Sequence, residues 1–359
     1  MVKKTYIPVL VLLLVTGLII EEESPVRIGI ANNTTRDLQG TELRLLVEPR
    51  EQMVKKRIWE EVDSKLKRSI SLERRGIFRP LDVKSDDEGD IYVYDYSTPD
   101  IVKFLSSGQL TTRFGMGRGK GPGQLMSPTG FCLDNNGNVW VADPANFMIT
   151  EFSGDGKLVS TFRPKSMPLR IGALRNGDVA VAGVNATNLI AVYRNGQLIK
   201  DFGHVFEQQE KYGFAFDGLL ATDSQGNLYY TFTRTGLLLS YHENGSLRFL
   251  VKTIDATPLP KLTVSEVNGG ISMRFTDPSS FTALSVSVDN GRVYILNYQG
   301  AKGLSGMPLD IYNSADGNYI CTVMTPGKFL ACAVRGNMMY AINDTTLFIF
   351  QSKALSDVR

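Results

Sequence analysis

From Leu72 onward, short runs of β-branched and aromatic residues alternate with turns rich in Gly, Asn and Asp. The runs Ile91-Tyr92-Val93-Tyr94, Val139-Trp140-Val141-Ala142, Val179-Ala180-Val181-Ala182, Leu228-Tyr229-Tyr230-Thr231, Val293-Tyr294-Ile295-Leu296 and Met338-Met339-Tyr340-Ala341 read as strands. Each follows an acidic or Asn-rich turn ending in glycine: Gly89, Gly137, Gly177, Gly226, Gly291 and Gly336. Six anchors mean six units.

Register within the units is kept too closely for chance. After the first four anchors an apolar residue stands at +12 (Ile101, Ile149, Leu189, Leu238), a glycine at +19 (Gly108, Gly156, Gly196, Gly245) and a leucine at +21 (Leu110, Leu158, Leu198, Leu247). A further strand ends near Phe104, Phe152, Val192 and Tyr241, another begins at each +21 leucine, and an inner strand precedes each anchor. Four strands in a unit of 40 to 49 residues define the blades of a β-propeller, although the fourth unit runs 65 residues to the next anchor. In the fifth unit the glycine, Gly317, lies at +26, which places an insertion around Gln299 to Met307. The sixth unit has no room for an outermost strand, whereas Ile70 to Phe78 precede the first unit without a blade of their own. The chain ends are therefore expected to share one blade and close the ring.

The stretch Gly119-Lys120-Gly121-Pro122-Gly123-Gln124-Leu125, then Pro128, Leu133-Asp134, Gly137-Asn138-Val139-Trp140-Val141-Ala142-Asp143, Ile149, Phe152 and Gly156-Lys157-Leu158, closely resembles an NHL repeat. The first unit repeats its core with Asp90-Ile91-Tyr92-Val93-Tyr94-Asp95; the third has Gly183 where the strand-ending Asp stands, and the fourth to sixth match by spacing alone. The resemblance covers residues 70 to 355. As a whole the chain is similar to the bacterial exported six-bladed propeller proteins, most of which have no assigned activity. The expected fold class is all-β, a six-bladed propeller over residues 69–359.

The N-terminal residues differ in kind. Lys3 and Lys4, an apolar run from Tyr6 to Ile20 and the acids Glu21 to Glu23 have the charge order of an export signal or signal anchor over residues 1–20. Fifteen residues at about 1.5 Å each fall short of a hydrocarbon core of roughly 30 Å, which favours a removed signal and an extracytoplasmic protein. Membrane contact is expected only through residues 6–20, if they are retained. Residues 21–68 read as a linker and one amphipathic helix at 49–68, with Val54, Ile58, Val62 and Leu66 at every fourth position.

Charge narrows the partner little, since 39 Lys and Arg face 37 Asp and Glu. With export and no basic stripe, nucleic acid is not expected. The three cysteines, Cys132, Cys321 and Cys332, sit in apolar runs without metal-binding spacing and read as buried thiols. Two histidines, His204 and His242, cannot make a three-histidine zinc site. The glycine-rich stretch from Gly115 to Gly121 lacks the Lys-Ser/Thr step and helix of a phosphate loop, and reads as an interblade loop.

Function on such folds sits in loops. The leading expectation is a non-catalytic binding or scaffold module whose loop face takes a protein, peptide or carbohydrate. Its candidate residues are Asp95, Arg118, Lys120, Asp143, Asn146, Asn185, Arg234 and Tyr298. No cofactor is expected under this reading. The alternative is a calcium-dependent hydrolase or lactonase with a metal at the central channel, drawing on inner-strand acids such as Asp82, Asp134, Asp217 and Asp289, which otherwise read as turn formers.

Overall fold

The computed structural model describes residues 36–359 except 62, 185, 268–269, 277–280, 299–302, 353–354 and 356–359. The export-signal segment therefore lies outside the described residues, as does most of the linker. Among the described residues no helix is long and apolar enough to cross a membrane. The chain forms two compact units. The smaller, Met1–Leu43 with Pro260–Pro278, holds an antiparallel sheet in which Leu262–Val267 pairs with both Arg36–Thr41 and Gly270–Phe275. Its second segment accounts for the unusual length of the fourth sequence unit.

The larger unit, Arg44–Leu259 with Ser279–Arg359, is a six-bladed β-propeller. Blade 1 runs outward from the axis through Pro80–Ser85, Ile91–Asp95, Asp100–Phe104 and Leu110–Phe114. Blade 2 follows with Gly130–Leu133, Val139–Asp143, Met148–Phe152 and Leu158–Phe162. Blade 3 has Met167–Ala173, Val179–Val184, Ile190–Arg194 and Gln197–Phe202; blade 4 has Gly218–Thr222, Leu228–Phe232, Leu237–Tyr241 and Leu247–Lys252. Blade 5 comprises Ala283–Asp289, Arg292–Asn297, Pro308–Asn313 and Tyr319–Met324. In blade 6, Ala331–Arg335, Met338–Ile342 and Thr346–Ser352 come from the end of the chain, and the outermost strand, Ser64–Ser71, from before blade 1. The expected ring closure is present.

All six anchor glycines have positive φ, from +56° at Gly336 to +84° at Gly177. Each ends the tight turn between the inner and second strands, a conformation that a side chain would strain. The blades share a second device. Between the third and outer strands the register slips by one residue at Phe104, Phe152, Tyr193, Tyr241, Tyr312 and Phe350 in turn. Such a bulge raises local twist. Because the Ser64–Ser71 strand carries it too, the N-terminal segment completes blade 6 as a full repeat member.

The helix expected over residues 49–68 does not form. Arg50 pairs in parallel with Val251, Trp59–Glu60 joins the outer edge of blade 5 as a fifth, parallel strand, and Ser64–Ser71 is the closing strand. A spacing of four is two pleats of a strand as well as about one helical turn, so the apolar pattern fits both. Tertiary demand decides between them: the outer edges of blades 4 and 5 present open N–H and C=O groups, and this segment satisfies them. Arg50 N donates to Leu250 O at 2.9 Å and Lys252 N to Arg50 O at 2.9 Å, while Thr322 N donates to Ile58 O at 2.8 Å. Ile58, at 45% exposure, and Leu66, at 54%, consequently do not form a buried face.

One side-chain cluster pins this strap. The Arg57 guanidinium forks onto Asp310, with Nε to Oδ1 at 2.8 Å and Nη2 to Oδ2 at 2.9 Å. Thr322 Oγ1 and Asn297 Nδ2 donate to the same carboxylate at 2.6 and 3.2 Å. Asp310 is fully buried. Burial works against the Arg57 charge, but the hydrogen bonds and field of Asp310 more than offset it and hold the guanidinium protonated.

Candidate functional site

The inner strands of all six blades line an axial channel with a cavity of about 140 Å³. Its polar lining groups are Lys84, Ser85, Thr222, Ser287 and Arg335; the others are aliphatic residues, glycine and Cys132. Both cations have acids beside them, Lys84 at 3.4 Å from Asp82 and Arg335 at 2.9 Å from Asp87. Calcium takes six to eight oxygen ligands, carboxylates prominent among them. The channel lining contributes no carboxylate and so does not fit that ion. Among the described residues, no three His, Cys, Asp or Glu side chains are grouped to hold a metal.

Most of the acids named from sequence hold the fold, although Asp217 Oδ1 is buried with no hydrogen-bond partner among the described residues. Asp134 accepts from Asn136 N, Asn138 N and Trp140 Nε1, locking the turn that ends at Gly137. Asp86 with Tyr92 and Asp223 with Tyr229 repeat that carboxylate-to-aromatic tie, six residues apart, in blades 1 and 4. Asp289 accepts from Gly336 N at 2.7 Å, and Asp217 pairs with Arg170 at 3.1 Å. Asp82 accepts from Val83 N. These are turn and interblade roles. The cysteines are buried and unpaired, and burial pushes the Cys321 thiol up to about 11 and that of Cys332 to about 12, far from a reactive thiolate. His204 and His242 are exposed. One follows the outer strand of blade 3 and the other the third strand of blade 4, which places them on opposite faces of the ring.

The connections from second to third strand, and from each outer strand to the next blade, share one face. Five candidate residues meet there at the junction of blades 1 and 2. Asp95 ends the second strand of blade 1 and accepts from Phe78 N, Arg79 N and Ser97 N, and from the hydroxyls of Ser97 and Thr98. Burial alone would raise its carboxyl, but these donors together bring it below the ordinary aspartate range. Asp143 repeats the role in blade 2, accepting from Met126 N at 2.6 Å, Ser127 N at 3.1 Å and Asn146 Nδ2 at 2.9 Å. There burial prevails and the carboxyl is raised. Both aspartates fix loops.

Arg118 donates to three carbonyl oxygens, those of Met126 at 2.6 Å, Tyr96 at 2.9 Å and Ser97 at 3.4 Å. Its guanidinium stands 5.6 Å from the Tyr96 ring centroid, and that of Arg79 stands 4.8 Å from it. Lys120 is exposed two residues on. Phe78, Arg79, Tyr96 and Met116 were not candidates from sequence. Phe78 precedes one strand and Tyr96 follows another in loops that carry no period, and only the fold brings Tyr96 to Arg118 and the Phe78 N–H to Asp95.

Two further candidates lie on the same face at blades 4 and 5. Arg234 is buried with its guanidinium 3.9 Å from the Phe281 ring centroid, while Tyr298 is 45% exposed and its N–H donates to Thr282 O at 2.6 Å. Asn185 lies outside the described residues.

Fold and face together define a six-bladed propeller of four-stranded blades. The fold is similar to that of a member of the DUF4221 family from Bacteroides vulgatus, with a TM-score of 0.56 at 12% identity over 82% of this chain and 98% of that one. A presumed exported protein from Bacteroides fragilis gives 0.53 at 9% identity over 82% and 98%, and a catalytically inactive virginiamycin B lyase from Staphylococcus aureus, solved with quinupristin, gives 0.52 at 13% over 80% and 99%. At these identities the likeness establishes the fold. No protein-family model matches the sequence, and no curated protein sequence matches it either.

Proposed function

We propose that this is a non-catalytic extracytoplasmic binding module of the NHL-repeat type, which presents its loop face to a protein, peptide or carbohydrate. One observation carries the reading. Most oxygens of the inner-strand acids that a hydrolase would use are held by backbone donors, Trp140 or an arginine, whereas the loop face presents cations and exposed apolar side chains. The Lys3-Lys4 and Tyr6–Ile20 pattern supports export. Near-neutral net charge, +2, speaks against nucleic acid as the partner.

The test is the thermal midpoint of the protein after chelation, then with calcium, magnesium, manganese or zinc added singly. An ion bound only by the folded state raises stability by mass action, about 2.7 kcal/mol at a hundredfold excess over Kd. The expected result is an unchanged midpoint with each metal. A saturable rise with one of them would replace the binding module with a metal-dependent enzyme.

A further inference from the structure

The blade 1–2 junction carries positive charge that its own acids do not neutralise. The Arg118 guanidinium is satisfied by carbonyl oxygens, which take its hydrogen bonds but leave its full charge. Among the described residues, neither Arg79, Arg118 nor Lys120 has a carboxylate within ion-pair distance, although Asp95 and Asp143 are close in the fold. Those carboxylates are turned to backbone N–H groups instead. Other cations are paired on this face as on the opposite one: Arg113 with Asp100 at 2.7 Å and Lys165 with Asp201 at 2.9 Å here, Lys103 with Asp90 at 2.9 Å and Arg194 with Asp178 at 2.7 Å there.

Two further features accompany the charge. Phe78 is 62% exposed and Met116 55%, an apolar cost without a partner. Three buried polar atoms in this cluster also lack a hydrogen-bond partner among the described residues: Arg79 Nε, Tyr94 Oη and Asn146 Oδ1. Tyr94 is 3% exposed, and its hydroxyl lies in the field of Asp143 and Arg118. Buried donors and acceptors are rarely left empty, so such atoms mark places where water or a ligand completes the network.

We infer that this junction receives an acidic peptide segment bearing an aromatic or aliphatic side chain, a specification that rests on the loop-face binding reading above. Carboxylates of the peptide meet Arg79, Arg118 and Lys120, and its apolar side chain covers Phe78 and Met116. Arginine and aromatic groups of this kind dominate interface energetics. A small inorganic anion would leave the apolar pair uncovered. A sugar would need an open aromatic face, and the Tyr96 ring already carries two guanidinium groups, Arg79 at 4.8 Å and Arg118 at 5.6 Å from its centroid.

The test is selection of random dodecapeptides displayed on phage against the full chain, followed by fluorescence anisotropy of the selected sequences. Selected peptides are expected to be acidic with at least one aromatic or aliphatic residue, and to bind less tightly as salt rises. Lys120→Glu and Phe78→Ser, both at exposed side chains, are each expected to weaken binding about tenfold, and Glu88→Lys on the opposite face to leave it unchanged. Neutral or basic selected peptides, or affinities indifferent to Lys120→Glu and Phe78→Ser, overturn the inference while leaving a binding module elsewhere on the molecule. Failure to select any peptide, with binding of a heparin-derived oligosaccharide at the same residues, overturns it in favour of a polysaccharide. Failure with both probes overturns the inference, while the binding-module reading, which also admits a folded protein or a neutral glycan, is decided by the metal titration above.

Discussion

Substituting Arg57 by alanine is expected to lower the free energy of unfolding by about 3–5 kcal/mol, the cost of leaving one member of a buried ion pair without its partner. Asp310 is fully buried and relies on Arg57 for two of its hydrogen bonds, at 2.8 and 2.9 Å. Thr322 and Asn297 remain as neutral donors and cannot balance the charge. The measurement is urea unfolding followed by tryptophan fluorescence, since Trp59 lies on the strap and Trp140 in blade 2. Replacing both members, Arg57→Met with Asp310→Leu, is expected to recover most of the loss, because the penalty arises from the uncompensated charge. A single-variant loss below about 1 kcal/mol would mean that the strap is not held by this pair.

Ring closure makes the second large effect. Ile70 and Leu66 stand four residues apart on the closing strand, yet Ile70 is buried against Leu347 while Leu66 is 54% exposed. The bulge at Lys67, where Arg68 faces Ile349 and Leu66 faces Phe350, reverses the alternation between them. Ile70→Asp is therefore expected to cost more than about 4 kcal/mol by placing a carboxylate in the core between blades 6 and 1, or to prevent folding altogether. Leu66→Asp is expected to stay within about 0.5 kcal/mol of the parent. Thermal midpoints of the two variants decide the point. Equal losses would indicate that both side chains share one buried face, as on a helix.

That pair also explains where sequence reading stopped. The blades were legible because their determinants are local: a glycine at positive φ, a turn acid before it and a strand of apolar residues after it recur at fixed offsets. Closure was legible by arithmetic, since blade 6 lacked a strand and the residues before blade 1 lacked a blade. The strap was not. Val54, Ile58 and Leu66 fit helix and strand alike, and what decides between them is the unpaired edge of blades 4 and 5, some 200 to 270 residues away in sequence.

The candidate residues divide along the same line. Asp95 and Asp143 were placed on the loop face from their position after the second strand, and they stand there as loop anchors. Arg118 and Lys120 were found through an unusual glycine-rich loop. Their neighbours Phe78, Arg79 and Tyr96 come from two other connections, and the grouping exists only once three loops are folded together. The buried pair Arg57–Asp310 was invisible for the same reason, because a lone Arg and a lone Asp carry no periodic signature.

The most direct test of the loop face as the working surface is hydrogen–deuterium exchange with and without a selected acidic peptide. The account predicts slowed exchange in residues 78–79, 96–98 and 115–127, with the turns at residues 86–90 and 134–138 on the opposite face unchanged. Protection confined to those turns, or to the strands lining the channel, would contradict it.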